Sequence, residues 1–142
     1  MSNHVDGSEE IEIYHMILKS EWDAQSGDKV DYAPSSFATE GFLHLSRKSQ
    51  VTRVANTFFQ KILGTDMVLQ LLCVDPRLFG EELRWEAPIH PTNYDVDVER
   101  LEKIPVDLSF PHLYKPLPKS SITRILPLRV IDGRFELPAE LA

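Results

Sequence analysis

Four stretches of this 142-residue chain set polar groups among apolar ones: Tyr14-His15, Phe42-Leu43-His44-Leu45-Ser46, Leu83-Arg84-Trp85-Glu86 and Phe110-Pro111-His112-Leu113-Tyr114. A buried polar group left unpaired costs about 1–3 kcal/mol, so each has either a partner or a task. Imidazole changes charge near neutral pH and serves as acid, base or hydrogen-bonding group to a sugar hydroxyl. A carboxylate at a strand end stabilises a developing cation or binds ribose hydroxyls.

Each stretch has two readings. His15 either meets a ligand or is a core histidine bonded to a backbone carbonyl. His44 and Ser46 share a strand face that either points into a cleft or is solvated. Glu86 either works chemically or pairs with Arg84, two residues before it on the same face. His112 and Tyr114 sit among Pro111, Pro116 and Pro118, in a loop that either walls a ligand or covers the core. Trp85, Tyr14 and Tyr114 offer rings on which a ligand can stack. His15, His44, His112 and Glu86 are also zinc ligands by type, but no pair has a close ligand spacing. No glycine-rich phosphate loop, HExxH, paired cysteine or GxSxG occurs. His4 and His90 fall in expected loops and carry no assignment.

These groups need elements to position them. Residues 1–9 read as a disordered tail and 10–142 as a single domain. Ile11 to Leu18 is an apolar strand. Ser20-Glu21-Trp22-Asp23 resembles a capping box opening a short helix that ends by Gly27. Asp28 to Ala33 reads as a loop, and Pro34-Ser35-Ser36 opens a helical turn that Gly41 stops. Phe42 to Ser46 is a strand with Leu43 and Leu45 on its other face. From Ser49, Val51, Val54, Ala55, Phe58, Phe59 and Ile62 follow helical spacing up to Gly64. Met67 to Val74 is an apolar run expected to be central in a sheet, with Cys73 buried in it. Leu83 to Glu86 is a short strand. Residues 87–109 form an acidic insertion with one strand, Val98 to Ile104. Ile122 to Leu128 is an edge-like strand marked by Pro127. Asp132-Gly133 signals a hairpin. Helices cluster early and strands late, which is α+β rather than alternating βαβ.

The net charge of −7 argues against nucleic acid and against anionic membrane surfaces. No apolar run nears the roughly 20 residues of a membrane span. One cysteine, with no signal-peptide pattern at the N-terminus, makes the cytoplasm the expected location.

Ile13-Tyr14-His15, Trp22, Glu40-Gly41-Phe42-Leu43-His44-Leu45-Ser46, Val54-Ala55-Asn56, Arg84-Trp85-Glu86 and Phe110 to Leu117 occur in this order. Together they resemble a small bacterial family, domain-of-unknown-function family 952, over about residues 11–128. Members look like the ADP-ribosyltransferase fold, a small, mainly antiparallel, split β-structure around an NAD-type cleft. The resemblance implies the cleft rather than the activity, and the leading expectation is that the cleft binds NAD or a related nucleotide-like ligand and transfers or hydrolyses an ADP-ribosyl or similar group. By order along the chain it puts His15 in the first cleft position, His44 with Ser46 in the second and Glu86 in the third. Lys115 stands where the family pattern usually has glycine, and the acidic segment is longer than usual. A non-catalytic module for a small molecule or a protein is the alternative expectation.

Overall fold

The computed structural model describes residues 10–25, 27, 29–87 and 109–142. The expected tail, the strand at Val98 to Ile104 and nearly all of the acidic insertion therefore lie outside the described residues.

The first sheet is built on the most apolar run in the chain. β4 (Leu69–Val74) lies between β1 (Ile13–Leu18) and β8 (Ile122–Pro127), antiparallel to both. Its central place is the one its largely apolar sequence, interrupted by Gln70, demands, because both of its faces are covered. Leu69, Leu71 and Cys73 join Tyr14 and Met16 of β1 in a core beneath α3 (Val51–Phe58). Leu72 and Val74 join Ile13 and Ile17 in a core on the opposite face. Cys73 is wholly buried, and burial pushes its thiol up to about 12.

The second sheet covers that opposite face. Its order is β3 (Leu43–His44), β6 (Phe110–Leu113), β5 (Leu83–Glu86), all antiparallel. Leu43, Leu45 and Leu113 point inward and complete the second core. A backbone bridge between Tyr14 and Ser46 ties the two sheets together. The chain is thus α+β, with mainly antiparallel, split β-structure. No helix among the described residues is long and apolar enough to cross a membrane.

The stretch from Phe110 onward, expected as a loop, is instead the central strand of this sheet. Pro111 is tolerated there because of where its missing N–H would point. Its carbonyl accepts from the Leu45 N–H at 3.0 Å, on the β3 side. The absent donor falls on that same side, where β3 has already ended at His44. The full ladder with β5 runs along the other side.

Three further elements differ from expectation. α1 (Lys19–Gln25) continues directly from β1, so Ser20 lies inside it rather than capping it. The Lys19 N–H is held by the Val68 carbonyl at 2.8 Å, so the sheet sets the helix start. The expected loop before Pro34 contains β2 (Asp31–Tyr32), which pairs with β7 (Leu117–Pro118). The long helix breaks into a 3₁₀ turn at Lys48–Gln50, α3 and a second 3₁₀ turn at Gln60–Ile62. Near its end, the Asn56 and Thr57 side chains bond back to the carbonyls of Thr52 and Arg53.

Other expectations hold. α2 (Phe37–Glu40) ends at Gly41, whose φ of 83° is the left-handed cap that glycine supplies. β9 (Arg129–Ile131) and β10 (Arg134–Glu136) flank Asp132 and Gly133, with φ of 53° and 73°. Two consecutive positive φ values make the turn type that Asp-Gly favours.

Candidate functional site

Alternation in the second sheet decides which side chains meet. With Leu43, Leu45 and Leu113 inward, Phe42 and His44, His112 and Tyr114, and Arg84 and Glu86 fall on the outer face. His44 and His112 are directly opposed across the strands. Their rings lie 5.5 Å apart, edge to face. The Phe42 ring packs against His112, His44 and Tyr114 at 4.5, 4.8 and 5.1 Å.

Each histidine is held by its own carboxylate. Glu86 Oε1 lies 2.9 Å from His112 Nδ1 and accepts the Tyr114 hydroxyl at 2.6 Å. Glu40 Oε1 lies 3.2 Å from His44 Nε2. Carboxylates only accept, so His112 carries its proton on Nδ1 and His44 on Nε2. Among the described residues, nothing bonds the opposite nitrogens, His112 Nε2 and His44 Nδ1.

The electrostatics follow from burial. His112 is 1% exposed, and desolvation holds its pKa below the ordinary 6.5 although the Glu86 carboxylate opposes this. Desolvation also lowers His44, with Glu40 opposing and the His112 ring adding to the effect. Both rings are therefore neutral at pH 7. At Glu86, partial burial pushes the carboxyl up, but bonds from Tyr114 and His112 outweigh it and hold the group below its ordinary 4.5. Glu86 is thus an anion at neutral pH. Its Oε1 takes both bonds, its side chain is 32% exposed, and Oε2 bonds nothing among the described residues.

The candidates named from sequence divide between two places. His44, Glu86, His112 and Tyr114 come together on the outer face. His15 does not join them, because it points into the core between the sheets. Its Nδ1 donates to the His44 carbonyl at 2.8 Å, and its Nε2 accepts the Tyr32 hydroxyl at 3.2 Å. Burial lowers its pKa to about 4, so it is neutral with both nitrogens engaged. Tyr14 faces the first core and donates to Glu12 Oε1 at 2.7 Å. Ser46 is buried at the bridge between the sheets. Trp85 packs inward, with the Arg47 guanidinium 4.7 Å from its ring centre. Arg84 does not pair with Glu86 but lies 4.4 Å over the Tyr114 ring. Among the described residues no three His, Cys, Asp or Glu side chains are grouped to hold a metal ion.

Sequence reasoning missed Glu40 as a member of this face and gave Phe42 no role in it. Phe42 was legible from its alternation with His44. Glu40 sits four residues before His44, but that spacing crosses the Gly41 helix end, where helical periodicity no longer applies. Arg47 was missed as well. It is 2% exposed and donates to the Ser109 carbonyl and hydroxyl, both at 2.8 Å, and to Glu10 at 3.2 Å. It therefore anchors the start of β6, the strand that carries His112.

The fold and this face define a class: an α+β protein of split antiparallel sheets with two carboxylate-held histidines on one outer face. The chain belongs to the family described as Protein of unknown function (DUF952), which matches residues 16–125. It is similar to the crystal structure of protein CC0527 from Caulobacter crescentus, at 30% identity and a TM-score of 0.65, covering 92% of this chain and 97% of that one. The solution NMR structure of CC0527 is similar at 28% identity and a TM-score of 0.61, covering 87% and 90%. No curated protein matches the chain.

Proposed function

We propose that the outer face of the second sheet binds a nucleotide of the NAD or ADP-ribose kind and supports transfer of an ADP-ribosyl or related group. The same reading makes the split sheets a fold of the ADP-ribosyltransferase kind. The observation that carries it is Glu86. Tyr114 and His112 fix the carboxylate through Oε1 and, among the described residues, leave Oε2 without a bond on a side chain that is 32% exposed. A pre-oriented anion beside a partly dry aromatic surface stabilises an oxocarbenium-like carbon without reorganising during the reaction. Tyr114 offers ring surface for a base or nicotinamide. The exposed Arg84 at the rim supplies the cation for a pyrophosphate. With both His15 nitrogens engaged inside the core, His44 Nδ1 becomes the hydroxyl-binding nitrogen.

The test is calorimetry and thermal shift of the purified protein with millimolar NAD and ADP-ribose, together with chromatographic detection of released nicotinamide. Binding that Glu86→Gln weakens, with nicotinamide release that it abolishes, supports the proposal. Binding without release leaves a non-catalytic module. No heat, no shift and no nicotinamide overturns the proposal.

A further inference from the structure

The second dyad of the face has no task in that reading beyond hydrogen bonding. We propose that Glu40 and His44 form the proton-accepting dyad of the site, with Glu40 the positioning residue and His44 Nδ1 the base for an attacking water or alcohol. This rests on the transfer reading above.

Three observations carry it. The Glu40 side chain is only 5% exposed, and its Oε1 lies 3.2 Å from His44 Nε2. A carboxylate there fixes the proton on Nε2 and leaves Nδ1 with its lone pair. Among the described residues Nδ1 has no partner, and the His44 side chain is 23% exposed, so an outside O–H can reach the ring. His112 cannot take the part, because it is 1% exposed and already orients Glu86. The face therefore holds two dyads with different exposure: one positions a carboxylate, and the other presents a base.

The step balances as follows. The acceptor O–H breaks and its proton passes to His44 Nδ1. Its oxygen forms a bond to the anomeric carbon of the donor ribose. The glycosidic C–N bond breaks, and nicotinamide leaves with the electron pair as a neutral molecule. His44, now doubly protonated, is stabilised by the Glu40 carboxylate until the proton passes to solvent.

The experiment has two arms on the full chain. The first is nitrogen-15 NMR of the histidine rings, which reads the tautomer without any substrate. Wild-type His44 should carry its proton on Nε2. Glu40→Gln, which keeps an acceptor, should retain that tautomer but lower the His44 pKa. Glu40→Ala should mix the tautomers, while His112 should keep the tautomer that Glu86 fixes in either variant, which also reports an intact fold. The second arm is the pH profile of nicotinamide release. Glu40→Gln should move the rising limb to lower pH and reduce the plateau by about 10- to 100-fold, less than the roughly 100- to 10,000-fold that a general base itself contributes. His44 protonated on Nδ1 in the wild type, or a limb that Glu40→Gln does not move, overturns the assignment and leaves the Glu86 site standing. The Nε2 tautomer with no nicotinamide release overturns the transfer reading and the base role with it.

Discussion

Lowering the pH should destabilise this protein through His15 more than through any surface group. His15 is fully enclosed between the sheets, where burial holds its pKa near 4 against an ordinary 6.5. The unfolded chain thus binds a proton at pH 5–6 that the folded chain refuses. Stability is therefore flat above about pH 6.5 and falls as the pH drops from there toward 4. The whole displacement corresponds to about 3 kcal/mol at 1.36 kcal/mol per pH unit, of which about 2.5 kcal/mol is lost by pH 4.5. That is a large share of the 5–15 kcal/mol typical of a domain. The assay is urea denaturation at pH 7.5, 6.0 and 4.5 for wild type and His15→Gln. Glutamine keeps a donor and an acceptor but does not titrate. It should cost about 1–2 kcal/mol at pH 7.5 through imperfect bonds to the His44 carbonyl and Tyr32. Its pH dependence should be shallower by about 2.5 kcal/mol, so the two curves converge or cross near pH 4.5. His44 and His112 are lowered in the same direction and are present in both proteins, so they drop out of the difference except for the coupling of His44 to His15, whose ring bonds the His44 carbonyl. Parallel curves would refute the claim that His15 is neutral and sealed.

Three shorter predictions follow from single contacts. Glu86→Gln and Tyr114→Phe should each cost about 1–2 kcal/mol by denaturation, and a double-mutant cycle should give a coupling above about 0.5 kcal/mol, because both act through one 2.6 Å bond; strictly additive losses would show that the bond is absent in solution. Arg47→Ala should cost about 3 kcal/mol or more, since it strips donors from Ser109 and Glu10 and opens a void beneath Trp85, and Arg47→Lys should recover only part of this because lysine lacks the fork. Cys73 should resist a thiol reagent at pH 8 in the native protein and react fully in denaturant, being wholly buried with its thiol pushed up to about 12.

Local pattern carried part of this structure and long-range pairing carried the rest. The apolar run before Asp75 announced a central strand, and Asp132-Gly133 announced a hairpin, because each depends on its own residues. Alternation placed Phe42 and His44 on one face for the same reason. Pro111 misled in the other direction. A proline in a strand is excluded only where its missing donor is needed, and that depends on where β3 ends. β2 and β7, two residues each, carry no periodicity to read. The division between His15 and His44 was illegible for a deeper reason. Both are polar residues in apolar strands, and only the stacking of one sheet on the other makes one face a core and the other a surface. Glu40 belongs to the site only because the Gly41 turn folds it back over the strand that follows.

The charge balance of the outer face narrows what the proposed ligand brings to it. Glu86 supplies an acceptor oxygen and the neutral His44 an acceptor nitrogen, while among the described residues the cation placed beside them is Arg84 over Tyr114 at the rim. A phosphate set against the dyads would meet acceptors and a carboxylate, a like-charge arrangement that costs several kcal/mol in a partly dry site. Hydroxyls, amide N–H groups or a positively charged ring would each find an acceptor there. On the proposed reading, NAD would bind with its cationic nicotinamide riboside toward the dyads and its pyrophosphate toward Arg84. The same sorting predicts that nicotinamide riboside alone competes for the face better than inorganic pyrophosphate in a displacement assay, because the dyads would select the donor-rich end and, among the described residues, Arg84 is the exposed charge at the rim.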